Sequence, residues 1–254
     1  MNSKVTQEEL DEYVSKVPDF IDAAEESIRN SIFKVEQIVI ELSNAALSDD
    51  FREAKRLLIA ILNFIQKCKS GIVGKSTETI SEKLTLIVNY YQSVHHTEDL
   101  LLRGQYIAVA ALMKKDFETM VKLREISAGK AKYGKTPNAN HAPKELKFIY
   151  GQLNDVAHIS KNHAISFYVE KSDGYEVGVS ASPQFKEEQF KSFYAYHLSI
   201  MQTILAEAIS LYKEMYGIDK NYKDMMSYFV IANDVINQIG EKYLEEEKGE
   251  TKME

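Results

Sequence analysis

The chain has 254 residues, enough for one large domain or two small ones, and enough to bury a substantial core without covalent staples. Apolar residues make up 44% and charged ones 27%, with only 4 Pro and 11 Gly; this excludes collagen-like, disordered and disulfide-framework classes and leans towards helix. The net charge of −7 argues against a protein coated for nucleic acid over its whole surface, and the single cysteine, Cys68, can form neither an internal disulfide nor a thiolate zinc site.

Thr6 to Glu9 reads as a capping box opening a short first helix, which Pro18 and Asp19 interrupt before a longer one begins. From Ile21 the apolar residues recur at Ala24, Ile28, Ile32, Val35, Val39 and Leu42, three and four apart. Ser48–Asp50 forms the next break. Phe51, Ala54, Leu57, Leu58, Ile61, Leu62 and Ile65 then predict a second amphipathic helix, punctuated by Gly71 and Gly74. Ile80 to Gln92 is expected to be helical, and the longest element is expected from about Thr97 to Ile126.

Ser127 to Ala142 has the composition of a loop: Gly129, Gly134, Pro137, Asn138 and Asn140. Pro143 suits the first turn of a helix reaching about Ser160. Between about 165 and 181, Ile165–Val169 and Tyr175–Val179 flank Ser172-Asp173-Gly174, a hairpin signal. Ser182-Pro183 is expected to start a long helix ending at Gly217. A last helix covers about Tyr222 to Leu244, and Glu245–Glu254 reads as an acidic disordered tail.

The expected fold is therefore all-α: an up-and-down bundle of seven or eight helices with one short β-hairpin. A single helical domain over 1–244 is expected, with N-terminal helices over 1–92, a core over 93–216 and a C-terminal helix over 217–244. Met1–Lys16 lacks the apolar core of a signal peptide, and no apolar run reaches the roughly 18 residues of a membrane span. With one cysteine, these features point to the cytoplasm and to no membrane partner.

Three local patterns could carry chemistry. Gly71 to Thr77 (G-I-V-G-K-S-T) approaches a phosphate loop. Lys69 stands where the first glycine belongs, however, and the preceding segment is helical where a buried strand is needed, so an interhelical turn is the better reading. His95-His96-Thr97-Glu98-Asp99 offers possible ligands, but Glu98 and Asp99 also suit the first turn of a helix, and a solvated helix start is expected there. No metal site and no cofactor are expected.

The helix after Pro143 is more informative. Leu146, Ile149, Tyr150, Leu153, Val156 and Ala157 form its apolar stripe; Lys147, Gly151, Asn154, Asp155, His158 and Lys161 form the other side. Asn154 and His158 are four apart and Asp155 and His158 three apart, so all three can converge on one helix face. A neighbouring carboxylate can orient an imidazole and raise its pKa, which suits general acid–base work near neutral pH. Asn154, Asp155 and His158 are thus the candidate catalytic residues; a helix-surface histidine satisfied by Asp155 is the plainer alternative.

Leu153-Asn154-Asp155-Val156-Ala157-His158 resembles the Arg-Asn-x-x-Ala-His signature of HEPN-domain proteins, an all-α superfamily of toxins, abortive-infection effectors and other ribonucleases with many inactive relatives. Leu112 to Met120 resembles a helix of bacterial HEPN-like families, in which a basic residue precedes a Phe-Glu pair and a later helix carries a histidine. The resemblance covers roughly Tyr91 to Tyr216. It implies metal-independent RNA cleavage, with the histidine moving a proton at the 2′-hydroxyl or leaving oxygen and the arginine stabilising the phosphate. It also implies a homodimer and a role in a defence or stress process. His158 matches the signature histidine and Asn154 the polar residue after the arginine. The arginine position holds Leu153, so the bidentate phosphate clamp is lost; one preorganised donor is typically worth about 2.7–4 kcal/mol of transition-state stabilisation. Lys161 and Arg103 are the cations that could substitute.

Between Lys114 and Lys147 nine basic residues face four acidic ones, a positive stretch in an acidic chain. Lys130, Lys132, Lys135, Lys147 and Lys161 are the candidate phosphate contacts, and Tyr133 among them could stack on a base. Glu118, if buried, needs a partner, with His158 or Lys114 the candidates. The aromatic residues of the Phe185–Tyr216 helix exceed one face and suggest either core or a dimer interface. The alternative to an RNA-associated protein is a non-enzymatic scaffold binding a protein partner through its helices. A metal-dependent hydrolase using His158, His163 or His95 is the third reading.

Overall fold

The structure, a computed structural model, describes residues 6–67, 74–132, 134–157, 169–172, 175–179 and 182–250. Among them are seven α-helices: α1 (Gln7–Ala46), α2 (Asp49–Lys67), α3 (Glu78–Leu102), α4 (Tyr106–Ser127), α5 (Lys147–Ala157), α6 (Glu187–Tyr216) and α7 (Lys220–Glu250). Two 3-10 turns, 139–141 and 144–146, lead into α5. Strands β1 (Val169–Ser172) and β2 (Tyr175–Val179) pair antiparallel, Val169 opposite Val179 and Ser172 opposite Tyr175, with the register shifting between Glu170 and Lys171. The expected all-α bundle is observed, and the hairpin falls inside the predicted 165–181 window. Its Asp173-Gly174 turn lies outside the described residues.

The core sits around α6, which packs against α2, α3, α4 and α7. Phe190, Tyr194, Ile204 and Leu205 of α6 are fully buried, and Phe51, Leu58, Tyr90, Met113 and Phe117 meet them from α2, α3 and α4. Phe51 and Tyr194 pack edge to face with centroids 5.4 Å apart, a geometry the ring quadrupoles favour. Of the aromatics expected along this stretch, Phe190, Phe193, Tyr194, Tyr196 and Tyr212 are buried within the bundle, and Phe185 and Tyr216 are partly buried against it.

Several boundaries differ from the sequence expectation. Pro18 does not end a helix; α1 runs through it without a break for 40 residues. Residues 80–102 are one helix, capped at its start by Thr77, whose side chain accepts from the Ile80 amide, and the expected long Thr97–Ile126 element is instead split at Arg103–Gln105. The split has a local cause. Gly104 adopts φ +70, and a Cβ there would stand 2.4 Å from the Gln184 carbonyl oxygen and 3.0 Å from Val39 Cγ1. Only glycine fits that close three-way junction in the left-handed region. Pro143 caps a 3-10 turn and α5 proper starts at Lys147. α6 starts at Glu187, after residues 183–186, which form no regular element. α7 continues to Glu250, so 245–250 are helical where a disordered tail was expected.

α1 stands apart. Only its last third touches the bundle, through Val39, Ser43 and the Glu36–Arg103 ion pair of 3.1 Å. Among the described residues no helix is long and apolar enough to cross a membrane.

Candidate functional site

α4 and α5 form the frame of the predicted site. The chain leaves α4, crosses a loop over 128–146 and returns antiparallel. His141 meets Glu125 near the end of α4, and Tyr150 meets Phe117 and Glu118 two turns earlier. The return is driven by Ile149, Leu153 and Val156, which α5 buries against the core at helical spacing.

The loop is pinned by one buried carboxylate. Glu125, 5% exposed, accepts the Asn138 amide at 2.8 Å and sits 2.8 Å from His141 Nδ1. Arg124 Nε donates to the His141 carbonyl at 3.0 Å, and Lys122 Nζ to the Lys132 carbonyl at 3.2 Å. Burial pulls the Glu125 carboxyl up, but the Asn138 amide and the His141 ring outweigh it and hold it below the usual range. His141 was not among the expected residues. Its distance from Glu125 matches no helical or hairpin spacing, so no sequence signal marks the pair.

Burial redistributes charge along this stretch. Of its four acidic residues, Asp116 and Glu125 are buried and Glu118 is half-buried, leaving Glu145 as the one exposed. Lys115, Lys130, Lys132, Lys135, Lys144 and Lys147 are all exposed. The positive excess read from sequence is therefore carried by the surface, with its counter-charges turned inward. Asp116 accepts from Ser93 and Thr97 hydroxyls, each at 3.2 Å, and burial raises its carboxyl to about 6. Tyr133 and Lys161 lie outside the described residues.

Across the α4–α5 seam Tyr150 donates its hydroxyl to Glu118 Oε1 at 3.2 Å, with the Phe117 and Tyr150 rings 5.3 Å apart. Burial, then the Glu118 charge and the bond itself, raise the Tyr150 pKa. Tyr150 is thus a partner of Glu118 beside the expected candidates His158 and Lys114; its place in the apolar stripe hid the hydroxyl. Asn154, one helical turn beyond Tyr150, is half-buried on the same edge, at the level of Lys114 on antiparallel α4. Asp155 is half-buried beside it. Leu153 is fully buried, packed with the core, so this position offers no polar group to a ligand. His158 and His163 lie outside the described residues.

The other patterns resolve differently. His95–Asp99 is not a helix start but lies well inside α3. Glu98, 8% exposed, forms an ion pair with Lys55 of α2 and accepts the Tyr194 hydroxyl at 2.9 Å. Beside it His197 is buried, and burial lowers its pKa to about 4. This cluster joins residues up to 142 apart in sequence and no local spacing betrays it. In the expected interhelical turn, Thr77 is occupied as the cap of α3 and the Lys75 amide donates to the Met215 carbonyl; Gly71–Val73 lie outside the described residues. Among the described residues no three His, Cys, Asp or Glu side chains gather closely enough to share a metal ion.

No family model, curated protein or solved structure matches this chain.

Proposed function

We propose that this chain is a HEPN-like, RNA-associated protein. Its phosphate contacts are Lys130, Lys132, Lys135, Lys147 and Lys161, with Tyr133 among the loop lysines stacking on a base, and its polar site is Asn154, Asp155 and His158. The observation that carries this reading is the inward burial of Asp116 and Glu125, which leaves six exposed lysines against one exposed glutamate on the 114–147 stretch. Phosphate affinity scales with such cations. The motif resemblance supplies the reaction class, metal-independent endonucleolytic cleavage, and the defence or stress setting.

Leu153 sets the expected strength of catalysis. With no guanidinium beside the histidine, the developing charge on phosphorus lacks its fork of donors, and cleavage is slow or absent while binding persists. The experiment is incubation of purified protein with assorted RNAs in EDTA, beside His158→Ala, with binding measured in parallel. Cleavage lost in the variant assigns the enzyme; binding without cleavage assigns the degenerate form; neither binding nor cleavage removes the RNA reading.

A second reading, a non-enzymatic protein-interaction role, is favoured by one specific observation, the apolar arm that α1 extends from the bundle.

A further inference from the structure

α1 contains 40 residues, a rod of ~60 Å, yet from Gln7 to Lys34 every side chain of described exposure is solvent-exposed except that of Ala24. Roughly 42 Å of helix therefore projects beyond the bundle. An isolated helix holds poorly in water, and this one carries Tyr13, Val14, Val17, Phe20, Ile21 and Ile28 in the open. With Ile38 and Leu42 these present on the order of 800 Å² of apolar surface, about what one partner contributes to a standard stable interface and more than monomers usually expose.

The spacing says what covers it. Val14, Val17, Ile21, Ala24, Ile28, Ser31, Val35, Ile38 and Leu42 alternate steps of three and four without a slip, a strict seven-residue repeat. A helix packed on a globular core follows 3.6 residues per turn; a strict 3.5 repeat matches a helix wound on another helix. The seam is also separate from the bundle-facing stripe. In the last third Val39 and Ser43 are buried, while Ile38 and Leu42, next to them in sequence, are 57% and 46% exposed. That part of the helix has two apolar directions, one already occupied.

We infer that a second copy of this chain covers the seam, in a parallel two-stranded coiled coil of the α1 arms. One position of each repeat holds Val14, Ile21, Ile28, Val35 and Leu42, β-branched at four of the five, a choice that favours two parallel strands where the other position is not β-branched throughout. The other holds Val17, Ala24, Ser31 and Ile38, the first three small enough for close approach. Flanking positions that would meet across the parallel pair are Tyr13 with Pro18, Phe20 with Glu25, and Ser27 with Ile32; none sets like charges together. Most of the arm's acidic residues, such as Glu12, Asp19, Asp22 and Glu26, lie off the seam. Their charge disfavours an anionic membrane or RNA as the occupant. This inference stands independently of the RNA reading.

The test is the solution mass of the full chain by light scattering at micromolar concentration, for wild type, Ile21→Asp/Ile28→Asp and Phe33→Asp. Phe33 is 58% exposed and off the seam, so its variant removes an equally apolar residue from the arm. The expected result is twice the chain mass for wild type and Phe33→Asp, and the single-chain mass for the seam variant, with unchanged thermal unfolding of the bundle. A wild-type monomer, or a dimer that survives the seam variant, overturns the inference. Orientation is read with Ile21→Cys in a Cys68→Ser background: a disulfide between the two copies is expected under oxidation, and a seam-dependent dimer that fails to cross-link there overturns the parallel arrangement.

Discussion

Tyr150 reaches across from α5 to hydrogen-bond Glu118 of α4, 3.2 Å away, at the level where the basic loop returns to the bundle. The contact fixes the edge on which Asn154 follows one turn later. Tyr150→Phe keeps the ring packing on Phe117 and removes only the donor. The expected loss is about 0.5–1.5 kcal/mol, read as a lower urea midpoint at unchanged slope. No change in midpoint would mean that water replaces the tyrosine hydroxyl at no cost.

Asp116 and His197 set opposite pH dependences. Native Asp116 keeps its proton up to about pH 6, against 3.8 when unfolded, so the native state binds more protons in that window and stability falls as pH rises through it. Native His197 stays neutral down to about 4, against 6.5 when unfolded, so the unfolded state binds more protons and stability falls as pH drops through that window. Between pH 4 and 6 the two slopes, each up to about 1.4 kcal/mol per pH unit, oppose one another. Asp116→Asn is expected to steepen acid destabilisation relative to wild type, and His197→Phe to reduce or reverse it. Denaturant unfolding at pH 4.5, 5.5 and 6.5 checks both signs; parallel profiles for the three proteins would contradict the assignment.

Gly104 leaves room for Gln184 and for Val39 of α1 at the turn between α3 and α4. Gly104→Ala forces a Cβ against the Gln184 carbonyl and strains a left-handed residue. A loss of about 1–3 kcal/mol is expected, visible as a lower melting temperature. Gly129→Ala is the comparison: its φ is +66 but no atom lies within 4 Å of the added carbon, so the smaller loss expected there isolates the clash.

Glu125 tests whether the loop lysines act from fixed positions. Glu125→Gln removes a negative charge, which by charge alone would strengthen RNA binding. It also weakens the bonds to His141 and the Asn138 amide that hold the loop. Faster tryptic cleavage after Lys130, Lys132 or Lys135, together with weaker RNA binding, is expected. Tighter binding would show that charge outweighs loop order.

Helical class, the hairpin and the core stripes were legible because each is written in local periodicity. Leu153 followed the stripe into the core as its spacing required. Pro18 misled because a proline breaks a helix only when losing one hydrogen bond outweighs the rest, and a 40-residue helix absorbs it. The break at Gly104 was missed because its cause, Gln184 and Val39, comes from distant parts of the chain. The same reason hid Glu125–His141 and Lys55–Glu98–Tyr194–His197, whose members meet only after folding. Charge counting marks a positive stretch, but only burial shows which of its charges remain outside.

Whether the lysines between Lys130 and Lys147 grip RNA phosphates is read from the equilibrium constant for a single-stranded RNA across a salt series, for wild type and Lys130→Gln/Lys132→Gln/Lys135→Gln. Affinity is expected to fall steeply with salt in the wild type. The log–log slope is expected to be shallower by about 2 in the triple variant, roughly 0.7 for each phosphate left without its lysine. A slope unchanged by the three substitutions, or binding indifferent to salt, would contradict the RNA reading.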